Sequence, residues 1–469
     1  MLKESLVAAG AAMLLIGGCE KAGRETANPV QTRQAAAPTV KLVTLDPGHF
    51  HAALVQKRMY PEVSSRVHIY APDGADLQMH LKRIEGFNTR EKNPTKWESE
   101  IYTGPDFLER MLADKPGNVV VLAGNNSRKT EYILKSVQAG LNVLADKPMA
   151  ISAKDYELLK QAFEVAKEKG VLLYDIMTER YEITTMLQRE LSRFPEVYGE
   201  QELGSPDDPA VTKESVHHFC KLVDGKPLQR PEWYYDTDQQ GEAIVDVTTH
   251  LTDLVQWEVF PDTTLDMKDV QMLSARVWPT PITFEQYQLN TSAKDWPEYL
   301  KKKLDKDGVL QCAANGEFTY RLKDVCAKIS VLWNFQPPKD GGDTHYSLMR
   351  GTRSSLIIEQ GEAEGYKPVL YVEPRRVPGV KKDDIAAALT KAMRKINEKW
   401  PGVSFTPHET GFRIDIPQPY YNGHESHFGQ VTEKYLGFLK NGNMPEWEVP
   451  NMLVKYGTLM QALEMAHKE

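Results

Sequence analysis

Residues 119–151 read VVVLAGNNSRKTEYILKSVQAGLNVLADKPMAI, and their pattern decides the fold. The apolar run VVVL predicts a buried strand and Gly124-Asn125-Asn126 a polar turn. An amphipathic stretch stopped by Gly140 predicts a helix, and a second apolar strand ends at Asp146-Lys147-Pro148. Strand, turn, helix and strand in so short a span form a βαβ unit, whose strands lie parallel. Ligands of open parallel sheets bind at the carboxyl ends of the strands. Asn125, Asn126, Asp146 and Lys147 all fall at that edge.

Upstream, KLVTL (41–45) predicts the first strand, followed by Asp46-Pro47-Gly48-His49-Phe50-His51. A dinucleotide-binding loop would read G-x-G-x-x-G here. Only the middle glycine, Gly48, is in place, the one that lets backbone approach a pyrophosphate. Asp46 and His51 hold the outer positions. RVHIYA (66–71) predicts a second strand closing at Pro72-Asp73-Gly74, where an acidic residue can hold a ribose hydroxyl; the same dipeptide also serves as a plain turn. The stretch KRIEGFNTREKNPTKWESEIYTG predicts an insertion near the adenine side. Gly48, His49, Phe50 and Asp73 are the cofactor-binding candidates read from these loops.

Downstream, VLLYDIM ends at Thr178-Glu179-Arg180-Tyr181. Arg230-Pro231-Glu232-Trp233 then leads to GEAIVDVTTHLTDLVQWEVF (241–260), whose Asp246-x-x-x-His250-x-x-Asp253 spacing predicts three polar residues on one helix face. After residue 310 the chain turns strand-rich: GEFTYRL, AKISVLWNF, THYSLMRGT and SSLIIEQG.

Together, the thirty residues ending Asp-Lys-Pro and the Asp-x-x-x-His-x-x-Asp motif resemble the glucose–fructose oxidoreductase, inositol dehydrogenase and MocA (Gfo/Idh/MocA) family over residues 40–361 and 420–469. The resemblance implies an α/β fold: an N-terminal NAD-binding Rossmann domain and a C-terminal α/β domain with a large, mostly antiparallel sheet. It implies that Asn125, Asn126, Asp146 and Lys147 bind the cofactor and that Lys147 faces nicotinamide and substrate, with Asp146 where the family has Glu. His250 becomes the acid/base, Asp246 positions a neighbouring hydroxyl, and Lys147 stabilises the developing alkoxide. Arg180, Trp233, Asp253 and His427 are the candidate substrate contacts, and His424, Glu425 and His427 resemble the family's element before a C-terminal helix. Sheets of this kind pair open faces, so a homodimer or tetramer is the default expectation.

The remaining organisation follows from the whole chain of 469 residues, too long for a single core. Residues 1–18 resemble a bacterial lipoprotein signal ending Leu-Ile-Gly-Gly before Cys19, the expected lipidation site, and 19–39 form a Pro- and Ala-rich tether. The expectation is an exported body, anchored by lipid to the membrane at the periplasmic side or surface of a bacterial envelope. A Rossmann domain is expected over 40–177 and a substrate and oligomerisation domain over 178–469, with an insertion near 366–420. A net charge of −8 without a basic block argues against nucleic acid. Cys220, Cys312 and Cys326 show no C-x-x-C spacing, so no metal is expected, although a Cys312–Cys326 bridge is conceivable.

Three functions fit this reading. The first is NAD-dependent oxidation of a secondary hydroxyl of a sugar or glycoside, with C3 the candidate position. The second is redox-neutral, NAD-dependent glycoside cleavage, and the third a non-catalytic sugar-binding lipoprotein. Outside the cytoplasm no free nicotinamide pool is expected, which favours a tightly bound cofactor. Asp73 would repel a 2′-phosphate, favouring NAD over NADP.

Overall fold

The computed structural model describes residues 39–223 and 226–468; the leader, with Cys19, lies outside the described residues. No helix among them is long and apolar enough to cross a membrane.

Six parallel strands make the first sheet: β1 (Leu42–Leu45), β2 (Arg66–Ala71), β3 (Glu98–Thr103), β4 (Val119–Leu122), β5 (Asn142–Asp146) and β6 (Leu173–Ile176). Their order is β3-β2-β1-β4-β5-β6, the doubly wound order whose crevice opens between β1 and β4. β1, β4 and β6 are buried along their whole length, as continuous apolar runs should be when helices cover both faces. The expected insertion after β2 is not one. Most of it forms the end of the helix Ala75–Thr89 and the edge strand β3, a strand too polar to show an apolar pattern.

The second sheet has nine strands, in the order Val270–Ile282, Leu310–Leu322, Val325–Asn334, Val211–His218, Thr344–Arg350, Ser354–Gln360, Val369–Pro374, Phe412–Asp415 and Ser404–Pro407. Only the pairing of Val211–His218 with Val325–Asn334 is parallel. The expected insertion supplies the last three strands and the helix Lys382–Lys399. Ile385, Leu389 and Ile396 of that helix share a second core with Leu356, Leu370, Ile183 and Leu187. The segment thus extends the sheet and covers its far end. Cys220, Cys312 and Cys326 are buried free thiols, so the Cys312–Cys326 bridge is absent.

The C-terminal helix Glu448–Ala466 returns to the first sheet. Lys455 Nζ reaches Asp175 Oδ2 of β6 at 2.6 Å, and the Met149 amide donates to Tyr456 Oη at 3.1 Å. This return holds the carboxyl edge of the parallel sheet against the second domain.

Candidate active site

A cavity of about 540 Å³ lies at that edge, between the two sheets. Its floor comes from the loop after β1 (His49, Phe50, His51), the turn after β4 (Gly124, Asn126) and the end of β5 (Asp146, Lys147). The second domain supplies Glu179, Ser215, His217, Asp246, His250, Asp343 and His424.

Gly124 ends β4 because a Cβ there would lie 2.3 Å from the Asp46 carbonyl oxygen, so the β1 and β4 loops can touch only through glycine. Asn125 caps the following helix by accepting from the Ser127 amide at 3.1 Å, and its Nδ2 donates to Gln239 Oε1 at 2.6 Å. Asn126 donates to the Gln240 carbonyl at 2.7 Å and accepts from Lys129 Nζ at 2.5 Å. Lys129, which sequence reasoning passed over, is buried and also donates to the Asp146 carbonyl at 3.0 Å. Burial lowers its ammonium to about 8. It ties the β4 turn to the loop that carries Lys147.

Lys147 Nζ donates to Asp246 Oδ1 at 2.7 Å, across the domain boundary. His250 lines the same cavity, and its Nδ1 is buried without a partner. Burial, followed by the charge of Lys147, holds this imidazole well below 6.5, so it is a neutral base at physiological pH. The helical-face expectation fails for Asp246. Ala243–Val245 is a 3₁₀ turn, Asp246 leaves it with φ −91° and ψ −96°, and the helix Thr248–Val259 starts only after it. That break turns Asp246 toward Lys147.

Of the residues expected to bind substrate, Arg180 and Asp253 do not line the cavity. Arg180 Nε and Nη2 grip Asp253 at 2.6 and 2.7 Å, Arg180 Nη1 reaches Glu448 Oε2 at 3.0 Å, and Lys455 reaches Asp253 Oδ1 at 2.9 Å. Burial alone would raise Asp253, but Arg180 and Lys455 hold it well below the usual carboxylate range. These four side chains form a buried network inside the second domain, which Lys455 ties to Asp175 of β6, and not a sugar subsite. His427 is buried away from the cavity, and His424, one helical turn earlier, lines it instead.

Trp233 is also displaced from its expected role. Its ring covers Gly48, where a Cβ would meet the indole at 3.2 Å and Asp76 Oδ2 at 2.9 Å, and Trp233 Nε1 donates to that same oxygen at 2.9 Å. Asp73 is exposed in the turn after β2 and lines no part of the cavity, so the carboxylate beside the glycine loop is Asp76.

Two groups on the opposite wall were not foreseen. Glu179, one residue before the Arg180 chosen from sequence, faces the cavity, and burial followed by the neighbouring Glu182 charge raises it to about 7. His217 bridges Ser215 Oγ at 2.7 Å and Asp343 Oδ2 at 3.1 Å. The alternation in VTKESVHH (211–218) would have placed Ser215 and His217 on one strand face.

Residues 13–175 match the family model "Oxidoreductase family, NAD-binding Rossmann fold", and residues 187–467 match the model "Putative oxidoreductase C terminal domain". The chain belongs to the Gfo/Idh/MocA oxidoreductase family. Its relatives include a "putative oxidoreductase" from Parabacteroides merdae ATCC 43184, with 55% identity over 92% of this chain and 99% of that one, at a TM-score of 0.90. The WlbA dehydrogenase of Bordetella pertussis, solved with NADH and UDP-GlcNAcA, shares 15% identity over 92% of this chain and 96% of its own, at 0.52. Levoglucosan dehydrogenase, solved with NADH and levoglucosan, shares 12% over 92% and 97%, at 0.56. These two likenesses show the common fold. No curated protein matches the sequence.

As a Gfo/Idh/MocA member the chain is an NAD-dependent oxidoreductase with an NAD-binding Rossmann domain. The residues present fit the nicotinamide half of that cofactor: Phe50, Gly124, Asn126 and Lys147 line one open cavity, and His250 offers an unsatisfied ring nitrogen there. Gly48, which has no room for a Cβ beside Asp76 and the Trp233 indole, would be the loop residue nearest the pyrophosphate half.

Proposed function

We propose that this enzyme oxidises a secondary ring hydroxyl of a sugar or glycoside, C3 being the candidate position, with NAD held tightly through the turnover. The observation that carries the reading is the cross-domain contact of Lys147 Nζ with Asp246 Oδ1 at 2.7 Å, beside the neutral His250 in one cavity. Bound NAD supplies the hydride acceptor. The chain's own residues handle the proton and the charge. The neutral His250 takes the hydroxyl proton, Lys147 stabilises the oxygen as negative charge develops, and Asp246 holds Lys147 while accepting from an adjacent hydroxyl. Levoglucosan and UDP-GlcNAcA, named in the solved complexes of fold relatives, support a carbohydrate as the substrate class.

A second reading, redox-neutral glycoside cleavage, is favoured by Glu179. A carboxylic acid raised to about 7 on the far wall is a proton donor that hydride removal alone does not need. The expected export and lipid attachment at Cys19 belong to the same proposal, since a tightly held cofactor needs no surrounding pool when its hydride returns to the sugar in the redox-neutral cycle or passes to a second carbonyl substrate after net oxidation.

The test is to purify the protein without added nucleotide, denature it, and identify released NAD(H) or NADP(H) by mass spectrometry. The loaded protein is then incubated with glycosides. Near-stoichiometric NAD(H) and a keto-sugar support oxidation, and free sugar with unchanged NAD supports cleavage. An empty protein that gains no nucleotide on titration ends both readings. Mass spectrometry of the mature N-terminus tests the anchor: a diacylated or triacylated Cys19 is expected, and an unmodified one removes it.

A further inference from the structure

The cavity floor brings together three donors for which proton and hydride transfer have no use. His49 and His51 come from the loop after β1, and Asp146 from the end of β5. One ligand atom from each lies within 4.8 Å of the others. Two imidazole nitrogens converge on a single carboxylate oxygen: His51 Nδ1 is 2.8 Å and His49 Nδ1 3.9 Å from Asp146 Oδ2.

A His–Asp pair alone is an ordinary way to fill the space left where a third glycine is missing. His51 and Asp146 would satisfy each other with one hydrogen bond. The second histidine is what that account leaves over. His49 stacks edge-on to His51 with ring centroids 4.1 Å apart, and its Nδ1 otherwise meets only the His51 amide at 3.4 Å. A fourth donor stands close by, because the His424 ring lies 5.2 Å from the His51 ring and lines the same cavity.

We infer that His49, His51 and Asp146 form a binding site for a divalent first-row transition ion, with His424 within reach as an additional ligand. Bonds of about 2.1 Å to nitrogen and oxygen place neighbouring donors roughly 3–3.5 Å apart. The His51–Asp146 contact of 2.8 Å must open slightly, and His49, 3.9 Å from Asp146 Oδ2 in a set that spans up to 4.8 Å, must close by about half an ångström to one, movements that side-chain rotation supplies. Imidazole with one carboxylate selects zinc, iron, cobalt or nickel over magnesium and calcium, which take oxygen ligands. Three protein ligands leave coordination positions open toward the cavity, where water, His424 or a sugar hydroxyl oxygen can bind. The site stands on these residues alone and does not depend on the sugar reading.

The test uses the untagged, full-length protein, dialysed against a chelator and titrated with Co²⁺ alone. One Co²⁺ per chain, a visible ligand-field absorption band and a raised Tm are expected. His49→Ala, at the most accessible of the three donors, should fold as shown by circular dichroism and weaken Co²⁺ by about 100-fold or more, since even residues that only support a ligand cost 10–100-fold. Asp146→Asn should do the same. No stoichiometric Co²⁺ on the wild-type protein overturns the inference, as does binding unchanged in both variants. NAD(H) measured on the same samples separates the two ideas. A protein that keeps NAD(H) without an ion loses only the metal site, and one that takes the ion without NAD(H) loses only the nucleotide reading.

Discussion

Asp246 and Asp253 belong to one short motif and each faces a cation, Lys147 across the domain boundary and Arg180 within the second domain, and the two pairs do different work. Lys147 and Asp246 keep side chains 12% and 9% exposed on the cavity wall. Arg180 and Asp253 are 5% and 2% exposed, and Glu448 and Lys455 surround them. A pair that opens on a cavity can exchange its partner for a substrate hydroxyl. A pair enclosed by further charges has nowhere to turn, and serves cohesion instead. Residue type and spacing are shared; access to the cavity decides which pair belongs to chemistry.

The largest expected effect tests the enclosed pair. Arg180→Met strands Asp253 and Glu448 with incomplete partners and should cost about 3–5 kcal/mol of stability, read by denaturant titration. A loss under about 1 kcal/mol would erase the contrast. Next, Lys147→Met should lower kcat by about 10²–10³ while changing stability far less, because Asp246 can still reach water through the cavity. If Lys147→Met unfolds the protein as readily as Arg180→Met, the two pairs are alike.

The third prediction concerns pH. Eight of the twelve histidines, His250, His217 and His424 among them, lie below 6.5, chiefly through burial. Each binds fewer protons folded than unfolded, so its stability contribution is whole above 6.5 and is lost as pH falls toward about 4, where His424 titrates. Glu179 has the opposite sign: raised to about 7, its contribution is present below 4.5 and lost as pH rises through 7. Asp46, Asp76, Asp175, Glu182, Glu242, Glu258 and Glu359 are raised in the same direction as Glu179, so the histidine effect is read by difference. Acidification from pH 7 to pH 5 should lower Tm less in His80→Gln than in the wild type, because His80, lowered to about 4 by burial, no longer contributes. Over the same range kcat/KM should show no limb near 6.5 from His250, and a limb that persists in Glu179→Gln would mean that the His250 imidazole is not depressed. The smallest effect is at Trp233→Phe, which removes the bond to Asp76 and should cost about 1 kcal/mol of stability. It should also change NAD affinity, measured by calorimetry, because the ring covers Gly48.

Much of this was legible in advance. The residues 119–151 gave the parallel sheet because apolar runs, a capped helix and a stop glycine are local signals. Lys147, Asp246 and His250 were legible by family pattern, and they do meet in one cavity. What escaped depended on tertiary contact. Helical spacing placed Asp246, His250 and Asp253 on one stripe, but a 3₁₀ turn before Thr248 separates the first from the others. Arg180 and Glu179 are adjacent, and only the packing of Glu448 and Lys455 decides which one turns inward. The exposed Asp73 and the loop-facing Asp76 differ by one helical turn, a distinction that no acid-after-strand rule resolves.

The return of the C-terminal helix bears on how the molecule assembles. The Lys455–Asp175 bond joins residues 280 positions apart, and the Met149–Tyr456 bond spans 307. Contacts of such long range form late and slow the search for the native state. The parallel sheet is complete in sequence by Ile176, yet buried Asp175 gains Lys455 only when 280 further residues have been made. A ribosome-bound chain stopped before residue 448 would hold that carboxylate without its lysine, so the helix Glu448–Ala466 finishes a domain whose last strand was made some 280 residues earlier.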